Sequence, residues 1–561
     1  MFDFLRPRPK DQSDPLETPR TASAWFRQLP AHDVIGRQQH VIRAFEAMDR
    51  TGKPIDLDRV SAIEWLDAAL GPDRDQLMRQ YAEHAAGSAP LAEHIWRAAY
   101  DSSQGFIRVY KKSFDQAGVS SARSAQWKRA LPRLLVRLIH CYGIDAKLRV
   151  IRSERWIPAK WQGLHRLYRR AVELHIERMP MAVVGAEHGA LPRSIEQEYL
   201  VVLLTHRLNT GSLAPGEIDW AGRQLLAWCP GLLLEPAPRS SSGFCVDIAG
   251  GAGLVHRAGT ARNATLRYLD TAPVFDQLER AIAALRQSGA SDSDPAELTR
   301  QQRLAVLVKL RPALFHGAQS APDRNPRTSI SLAADVRIGL PQICGQHAIK
   351  GDGDVAFEAA TTRVPGRTAE VASVAHHDGE RNGLPRGWHA EPSEPLWRVE
   401  DRSAGGLRLS ASGGVGQSLT LGALVGVRER RAGGWVLGVV RRLNRASNEI
   451  EAGVSVIAKD FVAVTLHAKR YAREDMGFVV DGIDVSTIGA RFDGLYLPPP
   501  SRPDNPVSMK TLVIPTSEYA HGRSVILITA RSVYTVALHK AFEQRPEWTW
   551  AAIEIVAKTA R

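Results

Sequence analysis

The spacing of hydrophobic residues changes along this chain and separates a helical half from a β-rich half. Between about residues 21 and 235, apolar side chains recur every three or four positions, which places them on one face of an α-helix. Further on the period becomes two, as in Ile330 with Leu332 and Val336 with Ile338, which is the spacing of a strand with one buried face. The pattern predicts an α+β multidomain protein with an all-α N-terminal half followed by antiparallel β-structure.

Turn-rich segments and shifts in composition divide the chain further. A stretch rich in Gly, Pro, His and Glu predicts a mobile insertion at 345–395. Two short strand patterns followed by two amphipathic helices predict a small connector after the helical half. The predicted domains are a flexible N-terminus at 1–20, a helical domain at 21–235, a mixed α/β connector at 243–315, a β-barrel at 320–465 that carries the insertion, and a β-rich C-terminal module at 466–561.

Length and composition limit the class of protein. With 561 residues the chain is too long for one ordinary core, so it needs several domains. The sequence contains neither a signal-peptide core nor a run of eighteen apolar residues, so we expect a cytoplasmic protein with no membrane span. The net charge of +13 predicts attraction to polyanions or phosphorylated small molecules. The four cysteines include no CxxC pair, and we expect buried thiols rather than a metal site.

One motif carries candidate binding chemistry. The run Asp401-Arg-Ser403-Ala-Gly-Gly406 stands immediately before an alternating strand pattern. Guanine presents N7 and O6 acceptors that match an arginine, and N1–H and N2 donors that match a carboxylate such as Asp401. Ser403 adds a small hydroxyl, and Gly406 lets the backbone approach a flat base without a Cβ atom. Arginines also lie on purine faces and neutralise phosphate, so two of them can serve both ends of a cyclic dinucleotide.

This motif resembles the [D/N]xSxxG signature of PilZ domains, the bacterial receptors of cyclic di-GMP. Residues 418–458 are similar to the later barrel strands of that family, so the resemblance covers about 320–465. It implies a PilZ-like β-barrel with cyclic di-GMP as its ligand and no cofactor. Asp401, Ser403 and Gly406 would then hold one guanine, while arginines of an RxxxR motif before the first strand would wrap the ligand.

The arginine motif differs from the family pattern. Arg324-Asn-Pro-Arg327 precedes the first strand pattern, but its arginines are one residue closer together than in RxxxR. Arg363 and Arg367 have the full spacing, yet they lie in the predicted insertion with no strand after them, and a chance match is the favoured interpretation. We therefore predict Arg324 and Arg327 as the ligand-binding arginines.

A second D-x-S-x-x-G occurs at Asp484-Val-Ser486-Thr-Ile-Gly489, again beside strand-like residues. Two occurrences in one chain favour a real feature, which makes Asp484, Ser486 and Gly489 a candidate second site. Aspartate and serine before a glycine also form an Asx-type turn at the head of a strand, and this alternative stays open for both motifs.

Residues 123–170 form a basic region that also contains several aromatic side chains. Arg133 and Arg137 share one helix face while Leu134 and Leu138 fall largely on another, which predicts a solvated basic face. Stacking aromatics beside phosphate-binding cations would also suit nucleic acid or an acidic partner, which is the alternative.

No catalytic motif is recognisable, so no enzymatic activity is expected. The glycine-rich run 249–253 is interpreted as a hairpin turn, because no helix follows it. The leading prediction is a cytoplasmic cyclic di-GMP-binding effector that signals to an unidentified protein partner through its helical domain. The alternatives are a degenerate PilZ-like scaffold without nucleotide binding, and nucleic-acid binding through residues 123–170.

Overall fold

The computed structural model describes most of the chain. The described residues are 14–52, 54–85, 89–120, 124–182, 192–209, 211–257, 263–287, 298–314, 328–348, 397–412, 419–430, 434–446, 449–469, 479–480, 483–484, 488–499, 509–529 and 532–560. They fall into two compact units, of which the first comprises residues 1–324 with 444–446 and the second comprises 325–443 with 447–561.

The first unit is helical, as the three-to-four residue spacing predicts. Its helices are α1 (Pro19–Phe26), α2 (Val34–Thr51), α3 (Leu57–Ala69), α4 (Gly71–His84), α5 (Ala89–Ser120), α6 (Ala125–Ile151), α7 (Pro158–Glu173), α8 (Ile195–Arg207), α9 (Pro215–Trp228), α10 (Ala272–Gln287) and α11 (Arg300–Leu314). Short strands join them: β1 (Met181–Ala182), β2 (Pro192–Arg193), β3 (Leu234–Glu235), β4 (Phe244–Asp247), β5 (Val255–His256) and β6 (Leu266–Leu269).

Local signals explain where several of these helices begin and end. Helix α8 begins with a capping box, in which Ser194 and Gln197 each accept a hydrogen bond from the other's backbone N–H. Helix α2 ends at Gly52, which adopts the left-handed conformation with a φ of 64° that glycine tolerates without strain. One cluster of buried apolar side chains runs from Leu16 to Leu314, so the helices and the four-stranded sheet β3-β6-β4-β5 share a core.

The predicted solvated basic face on α6 is wrong at Arg137. Only 5% of this side chain is exposed, and its Nη1 lies 3.3 Å from Oδ2 of the buried Asp67 on α3. Arg133 stays half-exposed and donates from Nε to Glu64, at 2.7 Å. Because α6 packs on both α5 and α8, even its polar positions meet other helices, and a buried arginine there needs a carboxylate partner.

The second unit contains two closed barrels, each of six antiparallel strands. The first consists of β7 (Thr328–Ile338), β8 (Trp397–Ser403), β9 (Gly406–Ser412), β10 (Leu424–Glu429), β11 (Trp435–Ala446) and β12 (Glu449–Ala458). The second consists of β13 (Val462–Lys469), β16 (Ile488–Leu497), β17 (Thr511–Pro515), β18 (Ser524–Ile528), β19 (Ser532–Gln544) and β20 (Trp548–Ala560). A small hairpin of β14 (Val479–Val480) and β15 (Ile483–Asp484) lies between β13 and β16 in the chain.

The two barrels have the same topology. Around each barrel the strands run in the cyclic order first, second, third, sixth, fifth, fourth, counted within that barrel. Each barrel also fills its interior with its own cluster of apolar side chains, such as Val399 and Leu409 in the first and Leu512 and Val536 in the second. The C-terminal β-rich part is therefore a second barrel of the same design, which the strand periodicity alone did not predict.

The barrels pack against each other through a short helix, α12 (Leu340–Ala348). Its Leu340 and Ile343 join Leu437 of the first barrel and Leu495 of the second in one apolar cluster. Trp548 Nε1 donates across this interface to the carbonyl oxygen of Gly422, at 3.1 Å. Residues 345–348 thus belong to a helix and not to the predicted mobile insertion, whose remaining residues lie outside the described ranges.

Candidate functional site

The D-x-S-x-x-G motif at residue 401 forms the hairpin between the second and third strands of the first barrel. Ser403 pairs with Gly406, and Ala404 and Gly405 form the turn between β8 and β9. The pairing continues with Arg402 opposite Leu407 and Asp401 opposite Arg408. The motif therefore forms a tight turn at one end of a closed barrel.

An irregularity in β8 determines where Asp401 lies. Strict alternation would place Asp401 with Trp397 and Val399, whose side chains belong to the barrel core. The register shifts between Val399 and Asp401, so one extra residue is inserted and Asp401 comes to lie opposite Arg408. Arg408 Nε lies 3.0 Å from Asp401 Oδ2, and the carboxylate is 12% exposed while the arginine is 46% exposed. The carboxylate thus faces a solvent-accessible cation.

The other two motif residues hold the turn together. The Ser403 hydroxyl donates to the Gly406 carbonyl oxygen at 3.3 Å. A Cβ atom on Gly406 would lie 3.1 Å from the Val454 carbonyl oxygen of β12, so glycine permits the close approach of this strand. Asp401, Ser403 and Gly406 are therefore brought together within one hairpin.

The surface beside this hairpin is rich in paired arginines. Arg402 Nη1 donates to Glu429 at 3.1 Å. Arg428 and Arg430 both donate to Asp335, at 2.7 Å and 3.0 Å. The hydrogen bond from Arg428, with that from Arg430, holds the pKa of Asp335 below its ordinary value. Sequence reasoning missed Arg408 and these arginines, although a two-residue turn after Ser403 would have placed Arg408 opposite Asp401.

Arg324 and Arg327, the predicted ligand-binding arginines, lie outside the described residues. The first described residue after them is Thr328, which pairs with Arg402, and Ser329 pairs with Asp401. The strand that follows the arginine motif therefore begins beside the D-x-S-x-x-G hairpin.

The second D-x-S-x-x-G occupies a different place in its barrel. Asp484 ends β15 and Gly489 lies in β16, so this motif stands between the first and second barrel strands rather than between the second and third. Ser486 and the side chain of Asp484 lie outside the described residues. A Cβ atom on Gly489 would come within 2.7 Å of the Ala468 carbonyl oxygen, which gives this glycine a packing role.

The basic region at 123–170 is largely neutralised by nearby carboxylates. Lys147 pairs with Asp219, Arg152 pairs with Glu93, and Lys160 pairs with Asp145. Trp156, Trp161 and Tyr168 are buried in the helical core, so they are not available for stacking on a nucleic acid. This arrangement does not favour the nucleic-acid alternative.

Other classes of site find little support in the described part of the chain. All four cysteines are buried free thiols, as predicted. Among the described residues, no group of three or more His, Cys, Asp or Glu side chains is arranged to hold a metal ion. None of the helices described has the length and apolar character needed to cross a membrane.

Comparison with known proteins points to one receptor family. Residues 20–239 match the family model described as "Cyclic-di-GMP receptor FimW, N-terminal domain". No curated protein and no solved structure matches the chain. The matched residues lie in the helical unit and end before the first barrel strand. The helical half of this chain is thus similar to the N-terminal domain of a cyclic di-GMP receptor family.

Proposed function

We propose that this protein is a cytoplasmic cyclic di-GMP receptor whose first barrel binds the nucleotide in the manner of a PilZ domain. The observation that carries the proposal is the hairpin of Asp401, Ser403 and Gly406 at the end of a six-stranded barrel, beside the strand that follows Arg327. The receptor-family match of the helical half supports the same ligand through an independent part of the chain.

The chemistry of the hairpin suits guanine. Asp401 can accept hydrogen bonds from the N1–H and N2 groups, while the adjacent Arg408 can donate to O6 and N7 on the neighbouring edge. In the hairpin these two side chains pair with each other, so the ligand would have to replace an ion pair whose carboxylate is only 12% exposed.

Arg324 and Arg327 would bind the phosphates and the second face of the ligand. They precede Thr328, whose backbone pairs with Arg402, so the covalent chain ties them to this end of the barrel. Nucleotide binding would favour the state of the receptor in which these arginines contact the ligand, because a ligand shifts an equilibrium only towards the state that it prefers. We propose that this shift is signalled to a protein partner through the helical unit, without any enzymatic step.

Titration calorimetry with cyclic di-GMP tests the proposal. We expect wild-type protein to bind the nucleotide, and the variants Asp401→Ala and Arg327→Gln each to weaken binding by about tenfold or more, the value of a hydrogen bond to a charged group. Asp493→Ala and Arg491→Gln are matched controls, because both residues are exposed on β16 of the second barrel. They should leave the affinity unchanged.

Two outcomes would reject this function. One is wild-type protein that releases no more heat than Arg327→Gln at high ligand concentration. The other is a loss of affinity in the two β16 control variants as large as that in the hairpin variant. Such a loss would reflect the net charge of the protein rather than the motif.

A second candidate is a PilZ-like scaffold that binds no nucleotide. This function is favoured because the polar side chains of the motif already have partners within the hairpin: Asp401 pairs with Arg408, and Ser403 donates to Gly406. A pull-down with and without cyclic di-GMP separates the two functions. A partner profile that changes with the nucleotide would reject the scaffold, and an unchanged profile with no calorimetric binding would support it.

A further inference from the structure

The outer face of α7 in the helical unit lines two adjoining cavities. One has a volume of about 570 Å³ and lies between α7 and the C-terminal part of α5. The other has a volume of about 350 Å³ and lies between α7 and the turn that follows β4. Arg166 and Arg169 line both cavities, so the two form one groove along the helix. Volumes of this order suit a small nucleotide rather than a nucleic-acid duplex.

The two shared arginines differ from the other cations around them. Within the described ranges, neither Arg166 nor Arg169 forms an ion pair or hydrogen bond, whereas Arg170 on the same helix pairs with Glu173 at 3.1 Å. Most cations of the basic region are likewise neutralised. Lys111 of α5 faces the same groove and adds a third cation. The charge of Arg169 still interacts with that of Asp247, but the two side chains form no salt bridge. Arginines of this kind on a concave surface attract phosphate.

The remaining lining residues favour a guanine base over an extended polyanion. Phe114 is half-buried in the wall and offers a flat apolar face on which a base can lie. Asp115 lies next to it and supplies a carboxylate, which repels a phosphate chain but accepts hydrogen bonds from guanine N1–H and N2. Cations, an aromatic ring and a carboxylate in one groove are the groups that a guanine nucleotide needs.

The far wall of the groove is held rigidly by the glycine-rich turn. A Cβ atom on Gly253 would lie 2.5 Å from the Trp161 ring, and one on Gly251 would lie 2.9 Å from Pro158 Cβ, so only glycine lets this turn contact α7 so closely. His165 Nε2 donates to the Ala252 carbonyl oxygen at 2.9 Å, and Tyr199 donates to its Nδ1 at 2.6 Å. The groove is therefore preformed, which lowers the entropic cost of binding.

We propose that this α5–α7 groove is a second binding site for cyclic di-GMP, separate from the barrel hairpin, in which Arg166 and Arg169 bind phosphate and Phe114 and Asp115 hold a guanine. The identity of the ligand rests on the proposed function, while the site itself rests on the groove. The whole groove lies inside residues 20–269, and nearly all of its lining falls within the part that matches the receptor family.

Calorimetry on the full-length chain tests this site with cyclic di-GMP as the probe. Wild-type protein should show two classes of site, and Asp401→Ala should retain the groove class. The double variant Arg166→Gln/Arg169→Gln should weaken the groove class by about a hundredfold, since each lost charged hydrogen bond accounts for about tenfold. Arg97→Gln is the matched control, because this exposed arginine of α5 lies fourteen residues before Lys111, roughly 21 Å along the helix at 1.5 Å per residue.

The outcomes separate this inference from the proposed function. If Asp401→Ala abolishes all binding and the double variant changes nothing, the groove is not a nucleotide site and the barrel receptor stands. If the double variant abolishes all binding and Asp401→Ala changes nothing, the groove is supported and the barrel site fails. Absence of binding to wild-type protein overturns both. Equal binding of cyclic di-AMP overturns the guanine assignment, because adenine lacks the N1–H and N2 donors that Asp115 would accept.

Discussion

Replacing Asp67 with asparagine should destabilise the helical unit more than any nearby charge change. Asp67 on α3 is fully buried and neutralises two arginines at once: Arg74 donates to its Oδ1 at 2.7 Å, and Arg137 Nη1 lies 3.3 Å from its Oδ2. Tyr110 also donates to Oδ2, at 3.0 Å. Asparagine keeps the shape of the side chain but removes the charge, so both guanidinium groups lose their buried counter-ion.

The size of the stability loss depends on which of the two arginines keeps a carboxylate nearby. Breaking a buried ion pair by removing one member typically costs about 3–5 kcal/mol, because an uncompensated charge remains buried. Glu64 lies 4.0 Å from Arg137 Nε and continues to offset that charge. Arg74 retains its hydrogen bond to the backbone carbonyl oxygen of residue 67 and its electrostatic interaction with Asp73. We therefore expect a loss near the lower limit, about 3 kcal/mol in the free energy of unfolding.

Urea unfolding followed by helical circular dichroism measures this loss. The helical signal reports the first unit, since α12 is the one α-helix described in the second. The midpoint should fall while the slope of the transition is unchanged. Asp58→Asn, an exposed change on the same helix, should cost less than about 1 kcal/mol. If the two variants are equally stable, the reasoning about the buried network is wrong.

Three further predictions concern other parts of the chain. Burial lowers the pKa of His206 to about 3, so as the pH falls below about 6.5 the unfolded state binds a proton that the folded state does not. The free energy of unfolding should therefore drop by up to about 1.4 kcal/mol per pH unit. His206→Gln should flatten this slope in unfolding experiments across a pH series. Trp548→Phe removes the hydrogen bond to Gly422 and should cost about 1–3 kcal/mol in barrel unfolding, without altering helical ellipticity. Gly438→Ala places a Cβ atom 2.4 Å from Val454 Cγ1 and should destabilise the first barrel by about 1–3 kcal/mol in thermal melts. Gly434→Ala is the control and should leave the stability unchanged, because no heavy atom lies within 4 Å of its added Cβ atom.

The local elements of this protein were readable from its sequence. The glycine that ends α2 and the capping box that begins α8 are signals set by residues within a few positions of each other. The same short-range signals explain two strands, Phe244–Asp247 and Leu266–Leu269, and the hairpin turn between β4 and β5. Such features depend on neighbours along the chain, so periodicity and turn residues are enough to reveal them.

The candidate site was partly readable. The motif at Asp401, Ser403 and Gly406 was recognised from residue types and spacing, and the structure brings the three residues together in one hairpin. Its partner Arg408 was not recognised, because alternation without the bulge assigns Asp401 to the barrel interior. A bulge shifts the hydrophobic pattern by one residue. Irregular spacing of one residue also arises by chance, so the pattern alone does not reveal a bulge.

The sequence by itself determined the helical and strand segments, the burial of the cysteines and the presence of a motif suited to guanine. Only the tertiary structure decided that the C-terminal half is two barrels of one topology, that Arg137 is buried against Asp67, and that Arg166 and Arg169 line a groove without forming a salt bridge among the described residues. The physical reason is distance along the chain. A residue's periodicity is set by its neighbours, whereas strand order and the pairing of a charge depend on residues that are remote in sequence and meet only when the core closes.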